Sequence, residues 1–137
     1  MIYNHNEYLN YSLPDNWCAE EEADNLLLYN PSGDGAITIS FFNALNTEES
    51  LDERVSILAK KFVDKNNINL ELSSFVLFNR EGKTILYGTG TTADGWFIKL
   101  WVVAKKPKIV FATYQSERKS KELKVCDSII DSFQFVL

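Results

Sequence analysis

Lysine and arginine are absent from the first 53 residues of this chain, a stretch that carries eleven acidic side chains before Arg54 appears. Histidine is nearly absent as well, with His5 the one example, so His-based nucleophilic catalysis and His-rich metal sites have little to build on. Cysteine is scarce: Cys18 and Cys126 are too few and too far apart for a disulfide framework, and two reduced thiols are expected. No apolar run approaches the roughly 20 residues of a membrane span. The opening Met1-Ile2-Tyr3-Asn4-His5-Asn6-Glu7 has neither a basic n-region nor an apolar h-region, so no membrane association and a cytoplasmic location are expected. Linkers, repeats and low-complexity tracts are missing too, which implies a single domain over residues 1–137.

What is present is globular in composition, with 45% apolar, 13% aromatic and 24% charged residues. At 137 residues, folding buries roughly two-thirds of the extended chain's surface, so the core needs no metal or disulfide. Net charge is −5, which makes nucleic acid an unlikely partner. The charge is also polarised along the sequence. Between Lys99 and Lys124, eight basic residues face only two acids, Glu117 and Glu122.

Local patterns give the elements. Short strands are expected over Tyr8–Leu13, Trp17–Ala23 and Leu26–Tyr29, with turn chemistry at Pro14-Asp15-Asn16 and Asn30-Pro31-Ser32-Gly33-Asp34-Gly35. Ala36–Ala44 alternates and is rich in β-branched and aromatic residues. Ser50-Leu51-Asp52-Glu53 has the capping-box form, and Leu51, Val55, Leu58, Phe62 and Val63 recur at helical spacing, so a helix follows as far as Asn66-Asn67. The second half reads as a β-meander over Ser73–Asn79, Lys83–Thr92, Trp96–Ala104 and Lys108–Gln115, with turns at Arg80-Glu81-Gly82, Thr92-Ala93-Asp94-Gly95 and Lys105-Lys106-Pro107. A last helix is expected over Arg118–Ser132, burying Leu123, Cys126, Ile129, Ile130 and Phe133. Strands such as Trp96–Val103 and Phe75–Phe78 are apolar on both parities, which calls for cover on both sides of the sheet. The expected class is α+β, an antiparallel sheet flanked by two helices on opposite faces.

This order of elements, opening on Tyr11-Ser12-Leu13-Pro14-Asp15-Asn16-Trp17 and closing on Ser132-Phe133-Gln134-Phe135, resembles the PsbP-like fold group. That group takes in the photosystem extrinsic protein, the Ran-binding nuclear-import factor, the DcrB-like proteins and several bacterial families of unknown function. The resemblance implies an α/β/α sandwich and a role in binding other proteins, some DcrB-like relatives looking like immunity proteins against toxins. It carries no catalytic motif onto any residue of this chain.

The residues themselves offer little chemistry. His5 is expected to be solvated near a mobile end. Cys126 falls on a buried helical stripe, and Cys18 lies beside Glu20, Glu21 and Glu22, a setting that blunts a thiolate. There is no Gly-x-Ser-x-Gly elbow, the 30–35 turn lacks the carboxylates of a calcium loop, and Gly88-Thr89-Gly90 is mid-strand, where glycine marks a bulge or a close backbone approach. No cofactor is implied and an enzyme is not expected. Two candidate sites remain. Glu20, Glu21, Glu22 and Asp24 form an acidic edge suited to a basic protein partner, such as a toxin met by an immunity-type inhibitor. Alternatively, Lys99 interrupts an apolar strand: its ammonium either reaches the rim or an acidic neighbour, its stem lying along the sheet, or with Tyr87 and Trp101 it outlines a pocket for a small ligand or a reaction. A third grouping for anion or RNA contact, Lys105, Lys106, Lys108, Arg118, Lys119, Lys121 and Lys124, is weaker, because solvated charge is ordinary in turns and helix starts.

Overall fold

A computed structural model describes residues 2–6, 8–43, 50–71 and 75–136. In chain order the elements are β1 (Ile2–His5), β2 (Leu9–Ser12), β3 (Cys18–Glu21), β4 (Asn25–Tyr29), β5 (Gly35–Asn43), α1 (Leu51–Lys65) and β6 (Asn69–Leu70). They continue with β7 (Val76–Arg80), β8 (Lys83–Thr91), β9 (Phe97–Lys105), β10 (Lys108–Ser116), α2 (Leu123–Asp131) and β11 (Gln134–Phe135). The class is α+β. The ends of the expected Ala36–Ala44 and Ser73–Asn79 strands, at 44 and at 73–74, lie outside the described residues.

The main sheet runs β3-β4-β5-β10-β9-β8-β6, with β7 also paired to β8, and every pairing is antiparallel. The meander β7-β8-β9-β10 is therefore as the turns imply. Glu81 and Gly82 hold positive φ in the two-residue turn between β7 and β8, the conformation that matches the strand twist. Gly90 serves a close approach: a Cβ there would lie 2.3 Å from the Asn69 carbonyl oxygen of β6.

Successive residues of β9 feed two separate cores, because neighbours on a strand project to opposite sides. Phe97, Trp101 and Val103 join Val110, Ala112 and Tyr114 of β10 in one cluster, together with Cys126, Ile129 and Ile130 of α2. Leu100, Val102 and Ala104 join Leu86, Ile109 and Phe111 in the other, together with Val55 and Ala59 of α1. Burying each such Leu, Ile or Val contributes roughly 1.5–3 kcal/mol. At the start of α1, Ser50 accepts a hydrogen bond from the Glu53 amide at 3.2 Å, the capping contact its sequence implies.

Three expectations are corrected. The last helix begins at Leu123 rather than Arg118. Glu117 to Glu122 offer no apolar residue to bury, and Ser116 and Ser120 instead bond to Arg118 and Asp34. The Trp17–Ala23 strand shortens to Cys18–Glu21, since Glu22 to Asp24 form the turn into β4, closed by the Glu22 amide on the Asn25 carbonyl. The N-terminal residues are not a solvated end. They form β1, which pairs with β2, and β2 pairs in turn with β11 to make a second, three-stranded sheet. Tyr8 ties this sheet to the first: its hydroxyl donates to the Phe42 carbonyl at 2.5 Å and accepts from the Ile109 amide at 3.0 Å. Among the described residues no helix is long and apolar enough to cross a membrane.

Candidate functional site

The acidic stretch lies at one end of the main sheet. β3 is its edge strand and all four of its residues are exposed, as are Glu22 and Asp24 in the following turn. Alternation splits the carboxylates. Glu20 projects to one side and accepts the Tyr29 hydroxyl at 2.7 Å, a hydrogen bond that raises the Tyr29 pKa. Glu21 projects to the other side, where its Oε1 lies 3.1 Å from His5 Nδ1. Glu21, Glu22 and Asp24 then line an open cleft of about 230 Å³ with His5, Tyr8 and Phe41. The structure thus gathers three of the four predicted acids into one concavity and leaves Glu20 outside it.

His5, expected to be solvated, is 8% exposed, its ring stacked on Phe41 with centroids 4.4 Å apart and planes 7° apart. The β1–β2 register places His5 opposite Leu9, which turns the imidazole toward the main sheet. It meets a carboxylate but no nucleophile. The arrangement sets flat aromatic walls beside exposed negative charge.

Lys99, Tyr87 and Trp101 also come together. Lys99 projects from β9 on the same side as Trp101, and β8 brings Tyr87 directly opposite Trp101. The ammonium lies 4.7 Å from the Tyr87 ring centre and 5.1 Å from that of Trp101, within cation–π range. It donates to Asp127 Oδ1 of α2 at 2.7 Å, and the Trp101 indole N–H donates to the same oxygen at 3.2 Å. Sequence reasoning missed Asp127, although its helical position, between Leu123 and Ile130 on one face, was a usable signal. Above these groups is an open cleft of about 250 Å³ that also takes in Phe78, Arg80 and Asp131, rather than a closed cavity. Arg80 and Asp131 approach to 3.7 Å. With its charge already matched, Lys99 is neither a free amine nucleophile nor an open anion anchor.

The basic residues divide into two groups. Lys105, Lys106 and Lys108 lie at the β9–β10 turn, while Arg118, Lys119, Lys121 and Lys124 lie beyond the far end of β10. A nine-residue strand puts about 27 Å between them. Lys108 is further committed to the backbone, donating to the carbonyls of Tyr8 and Val136. Cys126 is buried, and burial pushes its thiol up to about 12; Cys18 is exposed, and both thiols are free. Among the described residues, no group of three or more His, Cys, Asp or Glu side chains is placed to hold a metal.

Neither a protein-family model nor a curated protein matches the sequence. Solved structures do match the fold. The solution structure of the cyanobacterial PsbP protein, CyanoP, from Synechocystis sp. PCC 6803 superposes with a TM-score of 0.70 at 11% identity, covering 98% of this chain and 91% of that one. The Saccharomyces cerevisiae Ran-binding protein Mog1p gives 0.60 at 9% identity, covering 94% of this chain and 90% of that one. A protein from Bacteroides thetaiotaomicron VPI-5482 gives 0.53 at 15% identity, covering 93% of this chain but only 45% of that longer chain. The chain has the fold shared by PsbP and Mog1.

Proposed function

We propose that this chain is a non-enzymatic protein-binding module whose acidic edge receives a basic partner. One observation carries the reading: Glu20, Glu21, Glu22 and Asp24 stand exposed on an edge strand and its turn, and none of them pairs with a lysine or arginine among the described residues. Exposed, unmatched charge of one sign steers an oppositely charged protein and raises its encounter rate. In this reading α1 and α2 roof opposite faces of the main sheet, so recognition falls to its edges and turns. The neighbour named as Ran-binding supports protein recognition as a use of the fold. An immunity-type inhibitor of a basic toxin, such as a nuclease, is one concrete form, and the cytoplasm is the setting it assumes.

The test starts with partners retained from native lysate at low salt and then purified. Their association rate should fall steeply as salt rises. Reversing Glu20, Glu21, Glu22 and Asp24 to lysine together should weaken binding at least tenfold. Unchanged affinity in that quadruple variant would overturn the acidic-edge reading.

The cleft over Tyr87, Lys99 and Trp101 favours a second reading, a small-ligand or enzymatic site. An anionic ligand there has first to draw Lys99 away from Asp127, which makes it the weaker of the two.

A further inference from the structure

The two edges of the main sheet are built on opposite plans. β3 is guarded by carboxylates, the usual device that keeps an exposed strand from pairing with another chain. β7, at the other side, carries a single charge, Arg80 beside its turn, which lies 3.7 Å from Asp131. Val76-Leu77-Phe78-Asn79 carries no charge and no proline, and β8 is its one strand partner among the described residues. Val76 and Leu77 are 39% and 40% exposed. They project to opposite sides of the sheet, so both surfaces of this edge are apolar.

We infer that β7 is a self-pairing edge through which two copies of this chain join their main sheets. The backbone supports the pairing. Arg80 and Lys83 flank a two-residue turn with positive φ at Glu81 and Gly82, the geometry in which the flanking residues exchange both of their hydrogen bonds. Counting back along the strand, the N–H and C=O groups of Arg80 and Phe78 turn toward β8, and those of Asn79 and Leu77 turn outward. A two-fold axis at Leu77 then sets outward groups against outward groups, with Leu77 of one copy opposite Leu77 of the other. The same register puts Val76 opposite Phe78 twice over. The edge is self-complementary in hydrogen bonds and in side chains, as an isologous interface requires.

Electrostatics permits this edge and opposes the other. A net charge of −5 disfavours self-association in general. The sheet order places β3 six strand spacings from β7, about 29 Å away. That is several times the roughly 8 Å screening length at physiological salt. Joining two β7 strands keeps the acidic edges at the far ends of a continuous sheet, whereas joining two β3 strands presses carboxylates together. The proposal is independent of the function assigned to the acidic edge, which it leaves free on both copies.

Sedimentation velocity on the full chain from about 10 to 500 μM, a span that covers weak association, provides the test. The expected result is a mass rising from monomer toward dimer. Leu77→Lys should be monomeric throughout with an unchanged circular dichroism spectrum. Trp96→Lys, which alters another exposed apolar residue away from β7, should dimerise like the wild type. Val76→Lys, on the other surface of the same edge, replaces Leu77→Lys if that variant does not fold. Amide hydrogen exchange localises the contact: protection at Leu77 and Asn79 should grow with concentration. A monomer across the whole range, a dimer that survives Leu77→Lys, or a dimer without that protection overturns the inference.

Discussion

Lys99 reaches from the middle of β9 to Asp127 on α2, with 2.7 Å between Nζ and Oδ1. The lysine side chain is 11% exposed and the aspartate 42%, so the cation is the more deeply buried partner. Removing the carboxylate alone strands an ammonium in a place that water reaches poorly. Removing both charges does not.

The first prediction follows from that asymmetry. Asp127→Ala should cost about 2 kcal/mol, below the full penalty of a wholly buried pair because the aspartate is partly solvated. The double variant Lys99→Met, Asp127→Leu should recover at least half of that loss. Urea denaturation of the three proteins decides it, and a double variant no more stable than Asp127→Ala would count against the argument.

Alkaline pH tests the buried titrating groups. Burial above all raises the Tyr11 and Tyr114 phenols from 10.0 to about 12 and the Cys126 thiol from 9.0 to about 12. Each ionises more readily in the unfolded chain than in the folded one. Their contribution to stability is therefore intact below about pH 9 and is lost as pH climbs toward about 12. The melting midpoint should stay level from pH 7 to 9 and then fall. In the same window iodoacetamide at pH 8 should label native protein once per chain, at exposed Cys18, and reach Cys126 only after denaturation. Two rapid labelling events on folded protein would contradict the burial of Cys126.

Glycines 88 and 90 share a strand but should respond differently to alanine. A Cβ at Gly90 meets the Asn69 carbonyl oxygen at 2.3 Å, a backbone atom that moves only if β6 detaches. One at Gly88 meets the Phe75 ring at 2.8 Å, a side chain that can turn aside. We expect Gly90→Ala to cost about 2–3 kcal/mol and Gly88→Ala about 1 kcal/mol. Thermal denaturation should rank them in that order, and equal losses would show that the two approaches are equally rigid.

These contrasts also explain which parts of the molecule the sequence reveals. α1 is legible because its cap, its apolar stripe and its charge gradient all agree within one short segment. The four meander strands are legible from alternation and turn residues, both local signals. The three-stranded sheet is hidden, because β1 spans four residues and β11 two, and β11 pairs with β2 across more than a hundred residues. Partners so distant leave no periodicity to read.

The candidate sites divide in the same way. The acidic run is visible as composition, but its cleft depends on Phe41 and on His5, whose burial is set by strand pairing rather than by its neighbours in sequence. Lys99 announces itself by breaking an apolar strand, and that oddity implied either an acid nearby or a ligand. Which acid it was depended on how α2 crosses the sheet, a tertiary fact with no local signature.

The small sheet has one more consequence. β1 and β11 border β2 from either side and both run antiparallel to it, so Ile2, opposite Ser12, and Phe135, opposite Leu9, lie two strand spacings apart across the sheet and three residues apart along it, about 14 Å. A linker of about six residues spans that gap, and the polypeptide can be cut elsewhere, for instance at the exposed Asp94-Gly95 turn, without changing the contacts of either core. Circular permutation thus opens a route to new ends placed well away from both the carboxylate-bearing edge and the apolar one.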